Sequence, residues 1–301
     1  MNFAITGGTG FVGAHLVDAA LAAGHRVKAL TRKPQRERDG VDWVLGDLST
    51  RDSLEWLVDH ADAVIHVAGT INAPNAAGFE QGNVAGTLAM LAAATAGGIQ
   101  RFVHVSSLAA REPKLSLYGA SKAKSEELVH SSGLDWAVVR PPAVYGPGDR
   151  ETLELFRMAK LGLMLMPPKG RVSVIHADDL ARLLLALAAP GTPSRCLIEP
   201  DDGKPGGWSH REFARALAAA VGTKAAVISS PGILLRAAAK LDHLLRGEKA
   251  KLTTDRAAYF SHRNWVVEPK RAAPPELWRP EIDTMRGLAA TAAWYREQGW
   301  L

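Results

Sequence analysis

A short apolar run, Phe3-Ala4-Ile5, leads straight into Thr6-Gly7-Gly8-Thr9-Gly10-Phe11-Val12-Gly13, and a helical pattern follows from Phe11 to Ala23, ended by Gly24. Two glycine patterns overlap here: Gly-x-Gly-x-x-Gly from Gly8, and Gly-x-x-Gly-x-x-Gly from Gly7. Glycine lets the chain turn tightly, lets the backbone approach a phosphate, and lets the last glycine seat the helix close to the strand. The free N–H groups and positive dipole end of that helix favour an anion. A glycine turn in this context, after a strand and opening a helix, is the signature of a dinucleotide site at the start of a βαβ unit.

The pattern repeats along the chain. Strands are expected at Val27–Leu30, Trp43–Leu45, Ala63–Val67, Phe102–Val105, Trp136–Val139 and Val172–Ile175. Between them lie helical patterns at Ser53–His60, Val84–Ala96, Tyr118–Ser131 and Asp178–Ala189. Such alternation predicts a doubly wound α/β fold of Rossmann type, a parallel sheet covered on both faces. After Pro190–Pro193 and Pro200–Gly207 the pattern changes to helices, at Ser209–Val221, Ile233–Leu245, Thr253–Phe260 and Gly287–Gln298. We therefore expect a nucleotide-binding domain over 1–199 and a smaller, mostly helical substrate region over 200–301, to which the insert 145–171 contributes. Ligands of open α/β sheets bind at the carboxyl ends of the strands.

Composition excludes several classes. Over 301 residues the formal charge is +5, with Lys and Arg spread along the chain rather than massed in a stripe, so nucleic acid is not an expected partner. The one cysteine, Cys196, permits no intrachain disulfide and reads as a core thiol on a short buried strand. The longest apolar stretches, Leu183–Ala189 and Leu88–Ala94, fall well short of the ~20 residues of a transmembrane helix, and no signal peptide is visible. A cytoplasmic protein acting on a small molecule is the expectation. His66, His104 and His176 are irregularly spaced and lack a Cys or carboxylate cluster, so no metal site is expected. The tail tryptophans Trp208, Trp265, Trp278, Trp294 and Trp300 read as core. The helix Ile233–Leu245 reads as an amphipathic helix packed on the domain; a lid or a membrane-surface contact also fits its pattern.

The end of the second strand selects the dinucleotide. A site for NAD would place Asp or Glu there to hold the ribose 2′-hydroxyl. This chain has Leu30-Thr31-Arg32-Lys33, with Arg36 and Arg38 behind. A guanidinium forks onto phosphate, so NADP(H) is expected, with Arg32 the main contact and Lys33 the second.

Further along, Tyr118 and Lys122 stand four apart on a predicted helix and share a face. An ammonium beside a phenol is expected to lower the phenol's pKa from ~10, which makes a general acid/base for a carbonyl/alcohol pair. Ser107, ending the neighbouring strand, can hydrogen-bond the same oxygen.

Read together, these segments resemble the extended short-chain dehydrogenase/reductase, or NAD-dependent epimerase/dehydratase, family. The likeness includes Asp47-Leu48, Val64–Gly69, Asn83–Thr87, Phe102–Ser107, the Tyr-x-x-x-Lys signature Tyr118–Lys122, Arg140–Asp149 and His176–Asp179. It implies catalysis by Ser107, Tyr118 and Lys122. It also implies cofactor contacts at Gly7, Thr9, Gly10, Phe11, Val12, Thr31, Arg32, Lys33, Asp47, Leu48, Val67, Ala68, Gly69, Val105, Tyr118, Lys122, Pro141, Ala143 and Val144. Family members often dimerise, so a homodimer is a possible assembly. The connection Leu108–Leu117 is shorter than in extended members, which puts the placement of Tyr118 in question. No Asp-Glu pair follows Ser107, Pro142-Ala143 stands where epimerases carry Asn, and no late arginine motif is recognisable at Glu276–Pro280. These absences favour the dihydroflavonol-reductase and 3β-hydroxysteroid-dehydrogenase-like branches, hence reduction or oxidation of an apolar carbonyl compound. A sugar or nucleotide-sugar epimerase, and a non-catalytic NADP-binding sensor or assembly subunit, remain open on the same residues.

Overall fold

The computed structural model describes residues 1–167, 169–229, 258–259 and 261–301. In chain order the first elements are β1 (Asn2–Thr6), α1 (Phe11–Ala22), β2 (Arg26–Thr31), β3 (Val41–Leu45), α2 (Arg51–Val58), β4 (Ala63–His66), α3 (Ala76–Phe79), α4 (Gly86–Ala96), β5 (Arg101–Val105), α5 (Leu117–Ser131) and β6 (Asp135–Val139). Then come β7 (Ala143–Tyr145), α6 (Leu153–Lys160), β8 (Leu163–Met166), β9 (Arg171–Val172), β10 (Val174–His176), α7 (Ala177–Ala188) and β11 (Cys196–Ile198). The rest are β12 (Trp208–Ser209), α8 (His210–Val221), β13 (Ala226–Ser229), β14 (Asn264–Trp265) and α9 (Thr284–Glu297).

Two compact units result. The first holds Met1–Arg140, Leu180–Glu199 and Ala273–Trp278; the second holds Pro141–Asp179, Pro200–Ala272 and Arg279–Leu301. The partition follows contacts rather than sequence, so Pro141–Asp179 stands with the tail.

The first unit is built on a seven-stranded sheet ordered β11-β6-β5-β4-β1-β2-β3, parallel throughout. Its inner strands are buried end to end, as strands covered on both faces must be: β4 and β5 expose none of their residues. One face packs Leu30, Leu54, Leu57, Met90, Phe102 and Val138 into a single cluster. The strand order reverses between β1 and β4, the switch point at which such sheets bind ligands.

In the second unit α6, α8 and α9 accompany three small sheets, β10-β7, β12-β9-β14 and β13-β8. Its core gathers Tyr145, Phe156, Met164, Leu217 and Tyr295. Helix α8 is fixed at both ends: Ser209 and Glu212 form a capping box, and Gly222 closes it in the left-handed conformation at φ 80°.

Three expectations need correction. The single strand Val172–Ile175 is two: β9 pairs with β12 and β14, whereas β10 pairs with β7, and Ser173 turns aside between them to bond Asp201. The helix expected from Val84 starts earlier, as a π-helical turn over Glu80–Ala85 that runs into α4. Cys196 is half-buried rather than core; its thiol donates to the Pro193 carbonyl at 3.4 Å. The predicted helix Ile233–Leu245, and Thr253–Phe260 apart from Ala258 and Tyr259, lie outside the described residues.

Candidate active site

The glycine turn folds as its composition requires. Gly7 takes φ 75°, and the Gly10 N–H donates to the Gly7 carbonyl at 2.9 Å. A Cβ on Gly13 would stand 1.9 Å from the Gly7 oxygen, and one on Gly7 would stand 2.8 Å from the Ala68 nitrogen. No side chain here fits either place. Gly10 caps α1 without any side-chain hydrogen bond, and Thr9 and Gly10 are exposed, so the first amides of α1 face a cradle free of side chains. Phe11 and Val12 are half-buried on the first turn. A backbone cradle at an uncapped helix start fits a pyrophosphate.

Around it stand the other predicted contacts of the first unit. At the end of β2, buried Thr31 donates its hydroxyl to the Lys33 carbonyl at 2.7 Å, which bends the chain so that Arg32 and Lys33 are exposed. Arg38 is engaged with Asp18 at 2.6 Å. Asp47 accepts from the Ser49 amide and hydroxyl and the Thr50 hydroxyl, and these bonds hold its carboxyl below the usual range. Leu48 lies against Gly86, where a Cβ would come within 2.7 Å. Val67, Ala68 and Gly69 continue from β4, and the Ala68 amide donates to Thr6 at 3.2 Å. A Cβ on Gly69 would meet the Lys122 ammonium and the Asn83 side-chain oxygen, each at 2.9 Å. The strand end β4, the π turn and α5 therefore converge on one point. Pro141, Ala143 and Val144 fall in the second unit, the latter two on β7.

Ser107, Tyr118 and Lys122 come together. The short connection that put Tyr118 in question folds as a 3₁₀ turn over Leu108–Arg111, capped by the Ser107 hydroxyl accepting from the Ala109 amide. Ser116 caps α5 in turn, and Gly119 sits so close to the turn that a Cβ would stand 2.6 Å from the Ala109 oxygen. The result is a hydrogen bond between Ser107 and the Tyr118 phenol. Lys122, 3% exposed, donates to the Val105 carbonyl at 2.9 Å.

The electrostatics differ from expectation. Burial pushes the Tyr118 phenol up, and the bond to Ser107 only partly offsets it; the Lys122 ammonium does not draw it down. Lys122 itself is lowered to about 8 by burial, with Glu126 opposing. Beneath it, His66 and His104 stack at 5.4 Å, both buried. His66 bridges Thr6 and Thr87, and His104 bonds Ser125. Burial, then the Lys122 charge, drives both far down, His66 to about 3, so both rings are neutral.

A second group escaped the sequence reading. Ser106 bonds Glu126 at 2.5 Å, Arg140 grips both oxygens of Glu126 at 2.8 and 2.6 Å, and Glu199 meets Arg140 at 3.4 Å and Arg111 at 3.7 Å. Two arginines and two glutamates thus neutralise one another beside the Ser107 strand end. The one signal in the sequence is that Glu126 stands four residues beyond Lys122, on the same helix face. Asn83 also proves central: its side chain bonds both Thr70 backbone groups and donates to Ser121 at 2.8 Å.

A profile of the NAD dependent epimerase/dehydratase family matches residues 3–195. The chain belongs to this family. It is an NAD(P)-dependent oxidoreductase of the extended short-chain dehydrogenase/reductase type. Among its relatives is a ceramide reductase of Caulobacter vibrioides (strain NA1000 / CB15N), 39% identical over 308 residues, spanning 99% of this chain and 95% of that one. Another is a 4-hydroxy-2-methyl-3-oxo-4-farnesyl-3,4-dihydroquinoline-1-oxide ketoreductase of Stigmatella aurantiaca, 32% identical over 81% of this chain and 80% of the other. The fold is shared with the Bordetella bronchiseptica enzyme WbmH, solved with NAD+, at a TM-score of 0.76 and 19% identity over 99% of this chain and 98% of that one.

Proposed function

We propose that the protein is an NADPH-dependent reductase of a ketone borne by a long-chain lipid of ceramide type. The observation that carries the reading is the hydrogen-bonded Ser107–Tyr118 pair beside Lys122, with the phenol raised and therefore protonated at neutral pH. A phenol that rests with its proton is set to donate one to a carbonyl oxygen as it becomes an alkoxide. Ser107 orients that oxygen. Lys122, mostly protonated at neutral pH and set against Gly69 at the end of β4, holds the ribose of the nicotinamide. NADPH supplies the hydride for the carbonyl carbon. Arg32 and Lys33, exposed at the end of β2, favour the 2′-phosphate, and no carboxylate stands there to hold a 2′-hydroxyl. The lipid class is supported by the similarity to the ceramide reductase over 99% of the chain, and by a second relative whose named substrate carries a farnesyl group.

The test follows NADPH absorbance with a ketone analogue of ceramide as substrate, in parent and Tyr118→Phe proteins. Tyr118→Phe is expected to bind NADPH as the parent does and to lose about 10²-fold or more in turnover, the scale of a lost general acid. Undiminished turnover would remove Tyr118 from the reaction.

A further inference from the structure

Strands β8 and β13 run parallel, with Leu163 opposite Ala226 and Leu165 opposite Ile228. The pleat sorts their side chains cleanly. Met164 and Met166 are buried in the core of the second unit, and Val227 packs against it. On the other face Leu163 is 43% exposed, Leu165 52% and Ile228 51%, and Leu161, just ahead of the strand, is 84% exposed. Three large aliphatic side chains on this two-stranded face, with Leu161 just ahead of it, expose on the order of a few hundred Å², the size at which an apolar patch carries a function.

The sequence flanking this face is basic, although Arg157 pairs with Glu154 at 2.8 Å and Lys160 donates to the Leu301 carbonyl at 2.8 Å. From Leu155 to Ala177 the chain holds Arg157, Lys160, Lys169 and Arg171 and no Asp or Glu; from Phe213 to Ser229 it holds Arg215 and Lys224 and again no acid. Lys160 directly precedes Leu161, and Lys224 comes two residues before β13. Arg296 donates to the Val221 carbonyl, which brings another cation to the end of α8 just ahead of β13. Leucine and isoleucine flanked by lysine and arginine form the composition that inserts shallowly at the headgroup boundary, with the cations on anionic lipid. A protein partner for such a face would need acids at its rim; an anionic bilayer supplies both the apolar layer and the opposite charge.

We propose that the exposed face of β8 and β13, with Leu161, docks the protein onto an anionic membrane surface. The face would hold the enzyme where a substrate with long alkyl chains resides, and to that extent the inference rests on the lipid reading above. Docking itself does not require turnover, so the two can fail separately.

The test is flotation of the full-length protein with vesicles of equimolar phosphatidylglycerol and phosphatidylcholine, against vesicles of phosphatidylcholine alone. The parent is expected to float with the anionic vesicles and to be released by half-molar salt. The double variant Leu165→Glu/Ile228→Glu is expected to lose roughly tenfold or more of its partitioning, since each change removes several buried CH₂ groups and adds a repelled charge. Lys224→Glu should weaken flotation without touching the apolar face. Unchanged thermal unfolding, and unchanged turnover of a short, water-soluble ketone, show that the variants remain folded. Equal flotation with neutral and anionic vesicles, or a double variant that floats like the parent, overturns the proposal. A double variant that changes oligomeric state while floating like the parent assigns the face to a second copy of the chain and overturns it too. If the parent floats but turns over no lipid ketone, docking stands and the substrate reading fails. If it reduces a detergent-solubilised lipid ketone but never floats, the reverse holds.

Discussion

Replacing Lys122 by Met is expected to stabilise the folded protein while ending its turnover. Lys122 is 3% exposed, and burial lowers its ammonium from 10.5 to about 8 even though Glu126 opposes the shift. A difference of that size corresponds to roughly 3 kcal/mol, carried as a penalty by the folded state. Below pH 8 the amine is charged in both folded and unfolded chains, and the whole penalty is present. Between about pH 8 and 10.5 the unfolded chain binds more protons than the folded one, so the parent gains stability as pH rises. Met occupies much the same volume and brings no charge. It leaves the Val105 carbonyl without its 2.9 Å donor, a loss of about 1 kcal/mol. The net gain at pH 7 is then roughly 2 kcal/mol, or about 3 °C in Tm for a chain of this size. Thermal unfolding of parent and variant, without cofactor, at pH 7 and again near pH 10 reads this directly. The variant should melt higher at pH 7, and its advantage should shrink toward pH 10. A variant that melts lower than the parent at pH 7, or an advantage indifferent to pH, refutes the reasoning.

Three further outcomes follow from the same structure. Arg32→Ala should weaken NADPH binding by roughly ten- to a hundredfold, the range of one charge-assisted hydrogen bond, and leave NADH binding unchanged by calorimetry. Gly13→Ala places a Cβ 1.9 Å from the Gly7 oxygen; loss of NADPH binding together with a lowered Tm is expected, and a variant that binds normally would dismiss the cradle. Glu126→Gln takes the bidentate partner from Arg140 at a site where the two side chains are 4% and 12% exposed, a change that should destabilise by about 3 kcal/mol in urea. The same variant removes the charge that holds Lys122 up, so the alkaline decline in turnover should begin at lower pH than in the parent.

What could be read in advance was whatever depends on neighbours in sequence. The parallel strands are short apolar runs because both of their faces are covered, and the glycine turn is local by construction. That Ser107, Tyr118 and Lys122 lie near one another could be anticipated, because Ser107 follows β5 closely and Tyr118 and Lys122 share one helix face. The short connection between them looked like a weakness, since nothing in Leu108–Leu117 announces that a 3₁₀ turn can close it. The direction of the Tyr118 shift was misread for a physical reason: spacing four apart fixes adjacency to Lys122 but says nothing of desolvation, and desolvation dominates. The Arg111–Glu199–Arg140–Glu126 group was invisible because its members come from four separate stretches of chain and become partners only once β6, β11 and α5 are assembled. The break at Ser173 was hidden likewise, since Val172 and Val174 are equally apolar but pair with different sheets.

Ser107, Tyr118 and Lys122 sit over an interior whose charges are arranged so that Lys122 dominates. His66 and His104 lie stacked beneath it, each a potential cation, yet both stay neutral because burial and the nearby ammonium disfavour a second positive charge. Glu126 is the nearest acid able to offset Lys122, but Arg140 takes both of its oxygens, and Ser106 bonds one of them as well. Burial lowers the Lys122 amine from its ordinary 10.5 to about 8, and the Glu126 charge opposes that shift only in part. Such an amine is still mostly protonated at neutral pH. Desolvation acts on both groups in the same sense: it raises the Tyr118 phenol and lowers the Lys122 ammonium, so each is pushed toward its uncharged form.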